Sequence, residues 1–402
     1  MKRNSSSTVQ INIDNCKYRV VRDVAKNRMR WGISRDESIW DVIWLDSGAT
    51  ITNYVRKAMR FQRINHFPGM VQIYRKGHLA RAINKMKQVI ARFDQFASEE
   101  YDFVPETWLL PGDIDQVKEY FVKHPDGCLI IKPTTGAQGK GISIALSAAD
   151  LIFTQESIAQ AYVTNPLLID GLKFDLRIYA LIISCDPLRV LIYEDGLVRL
   201  CTAVYSPPSA VNLECQYMHL TNYAINKRNQ NYVHNDDTND EESSKRTLPW
   251  LWSWLEHQGH EPARIWFKIS DIIVKTLISI QASLASAYNL CKTDDLNKTP
   301  FTCFEVLGFD ILLRDNLEPV LLEVNHMPSF STDTKLDTRV KSALIFDTMQ
   351  CNCKQDIMNI HRLLAHSAEC YCGGKNGLFL PACRSFSNQT LWQQIQWQRR
   401  FS

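Results

Sequence analysis

Apolar and polar residues alternate near the start of the chain, in Val9-Gln10-Ile11-Asn12-Ile13, with the two-residue period of a half-buried strand. Residues Cys16 to Val24 lead from it into a basic helix, and Ser38 to Leu45 reads as another strand. A basic amphipathic helix is predicted from Gly77 to Phe96, and Pro105, Pro111 and Gly112 punctuate the passage to a second unit. Helical spacing of Ile265, Ile269, Ile272, Ile273, Leu277, Ile280 and Leu284 predicts a core-facing helix over Pro262 to Tyr288. Phe304 to Leu313 and Pro319 to Val324 flank the turn Arg314-Asp315-Asn316-Leu317 and read as a β-hairpin. The polar stretch His234 to Arg246 has no periodicity and is predicted to be a mobile loop.

A chain of 402 residues with 45% apolar content exceeds what one core serves, so two or three packed subdomains are expected. No apolar stretch of signal-peptide length opens it, and no later segment reads as apolar for the roughly twenty residues a membrane helix needs. The expectation is a soluble protein that is not secreted and engages no membrane. Twelve cysteines without small-domain spacing fit reduced thiols better than a disulfide framework. Cys351, Cys353, Cys370, Cys372 and Cys383, with His361 and His366, raise the question of zinc, but C-x-C pairs favour unligated thiols. Net charge is only +3, yet no acid lies between Asp46 and Asp94. That basic block either attracts an acidic surface or is a solvated helical face; no motif accompanies it that would point to nucleic acid.

The hairpin carries the strongest chemical signal. A turn centred between Asn316 and Leu317 sets Asp310 opposite Glu323, with Asn325 on the same face. Like charges opposite one another are destabilising, and oxygen-only ligands suit Mg²⁺; carboxylates that find lysine partners are the other reading. A second signal is Leu129-Ile130-Ile131-Lys132-Pro133 followed by a loop with Gly136, Gln138, Gly139 and Gly141. It lacks the Walker pattern, and is either a phosphate cradle or a flexible hairpin. A third is the alternating run Lys173-Phe174-Asp175-Leu176-Arg177-Ile178, a charged stripe backed by a core face; it could also be an exposed sheet face with neutralising pairs. Arg199, placed in a hairpin strand after Glu194-Asp195-Gly196, adds a cation to the site or to the surface.

Together these residues resemble the ATP-grasp fold of the tubulin tyrosine ligase-like family, in particular its polyglutamylase branch. The resemblance rests on Arg60-Phe61-Gln62-Arg63-Ile64-Asn65-His66-Phe67-Pro68-Gly69-Met70, Ile131-Lys132-Pro133, Leu168-Ile169-Asp170-Gly171-Leu172-Lys173-Phe174-Asp175-Leu176-Arg177, Ser184-Cys185-Asp186-Pro187-Leu188-Arg189, Met218-His219-Leu220-Thr221-Asn222-Tyr223-Ala224-Ile225-Asn226-Lys227 and Leu322-Glu323-Val324-Asn325-His326. It covers about Ile11 to Met349. It implies an α/β (α+β) chain of mostly antiparallel sheets. An N-terminal αβ lobe would span 1–70, a central ATP-grasp subdomain 71–185 and a C-terminal one 186–350 with its loop at 234–246, before a peripheral Cys-containing tail at 351–402.

The resemblance further implies ATP between the central and C-terminal units, with Lys132, Lys173 and Asp175 at the nucleotide and the Gly136, Gln138, Gly139, Gly141 loop over its phosphates. Backbone around Gln160, Tyr162 and Val163 would hold the adenine. Asp310, Glu323 and Asn325 would bind magnesium, and Arg177, Arg199 and Asn222 would stand near the reacting carboxylate and incoming amino acid. The implied reaction activates a carboxylate as an acylphosphate, which the amine of free glutamate then attacks, with no Ser or Cys nucleophile. His219 is read as structural, while Gln138 and His326 resemble residues of members that elongate glutamate chains, so His326 is also a substrate-site candidate. Implied partners are the acidic C-terminal tails of tubulin, and microtubules. The chain is expected to be monomeric and cytoplasmic, on the cytoskeleton, with cilium or basal body as sites. Ligation of glycine or tyrosine, or an inactive microtubule-binding protein, are the other readings.

Overall fold

The computed structural model describes residues 8–48, 50–136, 138–153, 155–236, 240–292, 299–352 and 379–381. Three sheets organise them. In the first, β1 (Gln10–Asn12), β2 (Gly32–Ser34), β3 (Val42–Ile43) and β4 (Arg63–Ile64) run parallel in the order β2-β1-β3-β4. Parallel pairing requires a crossover, which the helical stretch Arg19–Asp23 and Val24–Arg28 supplies between β1 and β2. The strand predicted at Ser38 to Leu45 shortens to β3. Its first half is a turn in which Asp36 Oδ1 accepts from the Ser38 N–H at 2.8 Å and the Trp40 indole donates to Glu37 O at 3.0 Å.

The second sheet, order β5-β8-β6-β7, is antiparallel: β5 (Thr107–Leu110), β6 (Leu129–Pro133), β7 (Ser143–Ala145) and β8 (Ser157–Ala161). Trp108, Leu129, Ile131 and Ala159 pack its outer face on Val117 of the helix Ile114–Lys123. Residues of opposite parity on β6, Ile130 and Lys132, are thereby aimed at the cleft.

The third and largest sheet holds β9 (Leu168–Ile169), β10 (Leu172–Cys185), β11 (Leu188–Leu200), β12 (Lys245–Thr247), β13 (Glu305–Leu313), β14 (Pro319–Asn325) and β15 (Phe379–Pro381). Its spine is β12-β11-β10-β13-β14, with β15 on β11 and β9 on β10. Phe174, Leu176, Ile178, Ala180 and Ile182 of β10 face the helices Leu248–His257 and Pro262–Cys291. The opposite parity gives the cleft Lys173, Asp175 and Arg177. Farther along, Tyr179, Leu181 and Ile183 sit under the N-terminal lobe, in a core shared with Ile11, Trp44 and the helix Lys335–Cys351.

The sequence expectations meet several differences here. Glu194-Asp195-Gly196 is no turn: β11 is one strand, Gly196 pairs with Ile178, and the register with β10 shifts between Ile178 and Ala180, an irregularity that takes up Tyr193, Glu194 and Asp195. The turn lies at Asp186-Pro187, so the boundary expected at 185/186 falls between two adjacent strands of one sheet. The predicted loop 234–246 ends in β12, and the Asn235 side chain, fully buried, donates to Lys245 O at 2.9 Å. The helix predicted over Gly77 to Phe96 stops at Ala91, where Asp94 caps a new helix, Gln95–Glu99. Contrary to the reading that no segment is apolar enough, the 30-residue helix Pro262–Cys291 could cross a membrane by length and composition. Its Ile265, Ile269, Ile273 and Leu277 are buried in the main core. Cys353, Cys370, Cys372, Cys383, His361 and His366 lie outside the described residues, as does Ala137 of the glycine loop.

Candidate active site

The second and third sheets face each other across a cleft of about 750 Å³. Lys132, Gly136, Gln138, Gly139, Gln160, Tyr162, Val163, Lys173, Asp175, Arg177, Arg199, Asn222, Asp310, Glu323, Asn325 and His326 all line it. Gly141 stands just behind, against the Pro133 ring.

Charged residues occupy the floor in two rows set by strand register. Lys245, Arg199 and Asp175 are cross-strand neighbours on β12, β11 and β10; Arg177, Asp310 and Glu323 are neighbours on β10, β13 and β14. Arg177 donates to Asp310 through Nε at 2.5 Å and Nη2 at 3.0 Å. Arg199 makes the same forked contact to Asp175, at 2.7 and 2.5 Å, and its Nη2 also lies 2.9 Å from Asp310 Oδ2. Such bidentate pairs are strong and fix the planes of both partners. Burial alone would raise the Asp310 carboxyl, but Arg177 and Arg199 hold it well below the usual carboxylate range. Thr221 donates its hydroxyl to Asp175 at 2.6 Å.

Asn325 sits between the two hairpin carboxylates, its amide nitrogen 3.4 Å from Asp310 Oδ2 and 3.3 Å from Glu323 Oε1. Among the described residues no three His, Cys, Asp or Glu side chains converge. The donor set is thus two carboxylates and one amide, and an amide flip turns the Asn325 oxygen inward. Three converging oxygen donors fit a hard dication. The repulsion argument made from sequence needs amendment, because two arginines neutralise Asp310 and Lys76 approaches Glu323 at 3.5 Å. Donor convergence carries the fit instead.

On the roof, Lys132 Nζ donates to Gln160 Oε1 at 2.7 Å, and Gln160 Nε2 to Thr107 Oγ1 at 2.9 Å. Gln160 therefore meets the cleft with its side chain, its backbone lying within the central strand of the small sheet. From the floor strand β10, Lys173 Nζ donates to the Tyr162 hydroxyl at 2.8 Å and to His219 O at 3.1 Å. Tyr162 in turn bonds His219 Nδ1 at 2.9 Å, while His219 Nε2 bonds Asn212 O at 3.1 Å. The carbonyl fixes the proton on Nε2, so His219 accepts from Tyr162 and is neutral, a supporting role matching the sequence reading. Burial pushes Lys132 and Lys173 from 10.5 down to about 8. Two desolvated ammonium groups, one from each sheet, favour an anion between them.

The glycine loop has positive φ at Gln138, Gly139 and Gly141 (64°, 77° and 70°). A Cβ on Gly139 would come 2.4 Å from Ile225 Cδ1, so the loop can touch the wall bearing Asn222 only with glycine there. His326 stacks on Tyr74 with ring centroids 3.6 Å apart, and burial beside His66 pushes it down to about 4.

Sequence reading missed Tyr74, Lys76, Thr221 and the group Lys245, Lys341 and Asp337. Asp337 and Lys341 are spaced i,i+4, a readable helical pair. Lys245 was concealed by assigning its strand to a loop.

An antiparallel sheet bearing carboxylates and arginines, faced by a smaller sheet with a buried lysine and a glycine loop, is the ATP-grasp class of nucleotide-binding fold. The family model described as "Tubulin-tyrosine ligase family" matches residues 55–361, and the chain belongs to that family. It is 45% identical over 339 residues, 84% of this chain and 40% of the relative, to "Tubulin polyglutamylase TTLL13" of Mus musculus. Identity to "Tubulin polyglutamylase TTLL7" of Homo sapiens is 39%, over 87% of this chain and 39% of the relative. To the "Probable beta-tubulin polyglutamylase" of Tetrahymena thermophila it is 42%, over 86% and 29%. The chain thus spans two fifths or less of the length of these three relatives.

Proposed function

We propose that this chain is an ATP-dependent ligase that joins glutamate to glutamate side chains, or to growing glutamate chains, on the C-terminal tails of tubulin. The observation that carries the reading is the convergence on one cleft of Lys132 and Lys173, the arginine-carboxylate rows and the Asp310, Glu323, Asn325 group. The names of the relatives supply the substrate class.

In this reading Lys132 and Lys173 bind the ATP phosphates, the loop of Gly136, Gln138, Gly139 and Gly141 covers them, and the segment from Gln160 to Val163 receives the adenine. Asp310, Glu323 and Asn325 hold magnesium, which neutralises phosphate charge. Transfer of the γ-phosphoryl group to the acceptor carboxylate releases ADP and gives an acylphosphate. The glutamate amine attacks its carbonyl carbon, phosphate departs and an amide forms. Arg177 and Arg199, with Asn222 beside them, orient the carboxylates and stabilise the oxyanion, donors that Asp310 and Asp175 hold in place beforehand. Gln138 and His326 favour elongation over starting a branch. Such an enzyme works at the cytoskeleton.

The test is incubation of the chain with tubulin, ATP, magnesium and labelled glutamate, followed by mass spectrometry of the tails. ATP-dependent additions in glutamate mass steps are expected. Additions of glycine or tyrosine instead, or none in any condition, would overturn the proposal.

A further inference from the structure

Two of the fifteen prolines follow a serine or threonine, giving the dipeptides Ser206-Pro207 and Thr299-Pro300. They differ in access. Thr299 is 8% exposed and its carbonyl accepts from the Tyr288 hydroxyl, whereas Ser206 and Pro207 are exposed, in a stretch 204–209 that is neither helix nor strand. A residue before proline is biased to extended backbone and proline offers no N–H, so Ser206-Pro207-Pro208 presents its serine from an extended segment. That is the form in which a proline-directed protein kinase receives an acceptor hydroxyl.

Ser206 is also wired into the cleft. Its Oγ accepts from Asn212 Nδ2 at 2.9 Å and donates toward Met218 Sδ at 3.5 Å. Asn212 knots the loop, since Nδ2 also donates to Pro207 O at 3.0 Å and Oδ1 accepts from the Ser209 N–H at 2.8 Å. Its carbonyl is the acceptor that fixes the proton on His219 Nε2, and His219 leads through the Tyr162 hydroxyl to Lys173. A second strap runs from the neighbouring residue. Tyr205 donates its hydroxyl to Thr164 O at 2.8 Å, and its ring lies 5.9 Å from Lys173 Nζ and 6.3 Å from the His219 ring.

We propose that Ser206 is a phosphorylation site for a proline-directed kinase, and that the phosphoryl group loosens the hold of this loop on Lys173. In the transfer the Ser206 oxygen attacks the γ-phosphorus of an ATP bound to the kinase; an ester O–P bond forms, the β,γ-anhydride bond breaks, ADP leaves, and the hydroxyl proton passes to the kinase's carboxylate base. The product carries about two negative charges and three acceptor oxygens where one hydroxyl stood. Met218 sulfur, which received the hydroxyl proton, has nothing to donate to an ester. Asn212 Nδ2 is the donor left to the phosphate, and following oxygens that stand one bond beyond Oγ draws Asn212 away from His219. Without that carbonyl the His219 tautomer is no longer fixed, and Tyr162 and Lys173 lose their alignment. The coupling rests on the reading of the cleft as an ATP site; the modification itself does not.

In the test, the full chain is incubated with ATP and a purified kinase of the cyclin-dependent class, and the modified residues are mapped by mass spectrometry. One phosphate is expected, on Ser206, with Thr299 unmodified and no phosphate on the Ser206→Ala variant. After kinase and ATP are removed, a fluorescent non-hydrolysable ATP analogue should bind the phosphorylated chain about fivefold more weakly, the scale of one lost hydrogen bond, and a phosphatase should restore the affinity. Ser206→Ala should stay within about twofold of wild type, because Asn212 Nδ2 keeps Pro207 O. Asn212→Ala unties the loop by itself, so it should weaken binding and leave phosphorylation less than about a twofold further effect, as for two changes in one network. The Nε2–H resonance of His219, followed in a histidine-labelled chain, should disappear on phosphorylation whether or not nucleotide is present. An unmodified Ser206, an unchanged His219 signal, or an unchanged affinity in a chain that binds the analogue overturns the inference. A chain that takes the phosphate and loses the His219 signal yet binds no analogue in either state sustains it and counts against the proposed function.

Discussion

Arg177 and Asp310 stand directly opposite one another on β10 and β13 and share two hydrogen bonds across the strand boundary. Asp310 is thereby a structural anion as well as a candidate metal ligand, since Arg199 leans on it too. Removing one member of a buried ion pair strands the others, at a cost of about 3–5 kcal/mol. Asp310→Ala should therefore lower the stability of the whole chain by an amount of that order, read by chemical denaturation.

Glu323→Ala separates the two roles. The Glu323 side chain is 25% exposed and meets only Lys76 and Asn325 among the contacts described above. The variant should keep its denaturation midpoint while ATP-dependent glutamate incorporation falls below detection. Turnover near the wild-type rate would remove Glu323 from the chemistry.

Gly139 and Gly136 make a matched pair of substitutions. A Cβ at Gly139 meets Ile225 at 2.4 Å and sits at φ 77°, whereas at Gly136 the nearest atom is 3.6 Å away. Gly139→Ala should weaken ATP binding about tenfold or more, as expected for a strained loop backbone costing roughly 1–3 kcal/mol. Gly136→Ala should be nearly silent, and equilibrium binding of a fluorescent ATP analogue compares them.

In the proposed ATP site Lys132 and Lys173, lowered from 10.5 to about 8, would link nucleotide binding to protons. Phosphates raise both values, so binding takes up protons above about pH 8, and affinity falls as pH rises through that value. Below about pH 7 both lysines are already charged and affinity levels off. Calorimetry at pH 8.5 in buffers of different ionisation enthalpy measures the uptake. The sign for folding is opposite to that of a stabilised charge: the folded value lies below the unfolded one, so the two buried charges penalise the folded state fully below about pH 8, and that penalty is relieved as pH rises from about 8 toward 10.5.

His219 bonds the Tyr162 hydroxyl that also accepts from Lys173, so in the proposed ATP site it positions Lys173. His219→Phe should raise the KM for ATP several-fold with a smaller change in kcat, and should shift the pH dependence of ATP binding. A merely structural residue would move neither the profile nor the KM-to-kcat split.

The parity of β10 was legible because a strand inverts its faces residue by residue, so one run of alternating letters assigned Lys173, Asp175 and Arg177 to a common side. The Asp310 and Glu323 pairing was also read correctly, although the reasoning differed from the fold. The hairpin turns about Asn316, since Leu313 pairs with Pro319, and a bulge before Ile311 restores the one-residue offset. Irregularities of this kind depend on tertiary fit and leave little local signal, as the bulge at Tyr193-Glu194-Asp195 also shows. The Lys245, Lys341 and Asp337 group was illegible for another reason: it joins a strand to a helix ninety-two positions away.

That hairpin offset also means the chemistry hangs on a single spacer. Leu322 is the extra residue of β14, lodged between the pairs Ile311 with Leu321 and Asp310 with Glu323. Were the two strands paired straight through with Leu322 opposite Asp310, every acidic, basic and amide group would remain in the polypeptide, yet Glu323 and Asn325 would turn toward the greasy side of the sheet and Val324 toward the cleft. A catalytic inventory can be complete and still be silenced by an error of one in counting.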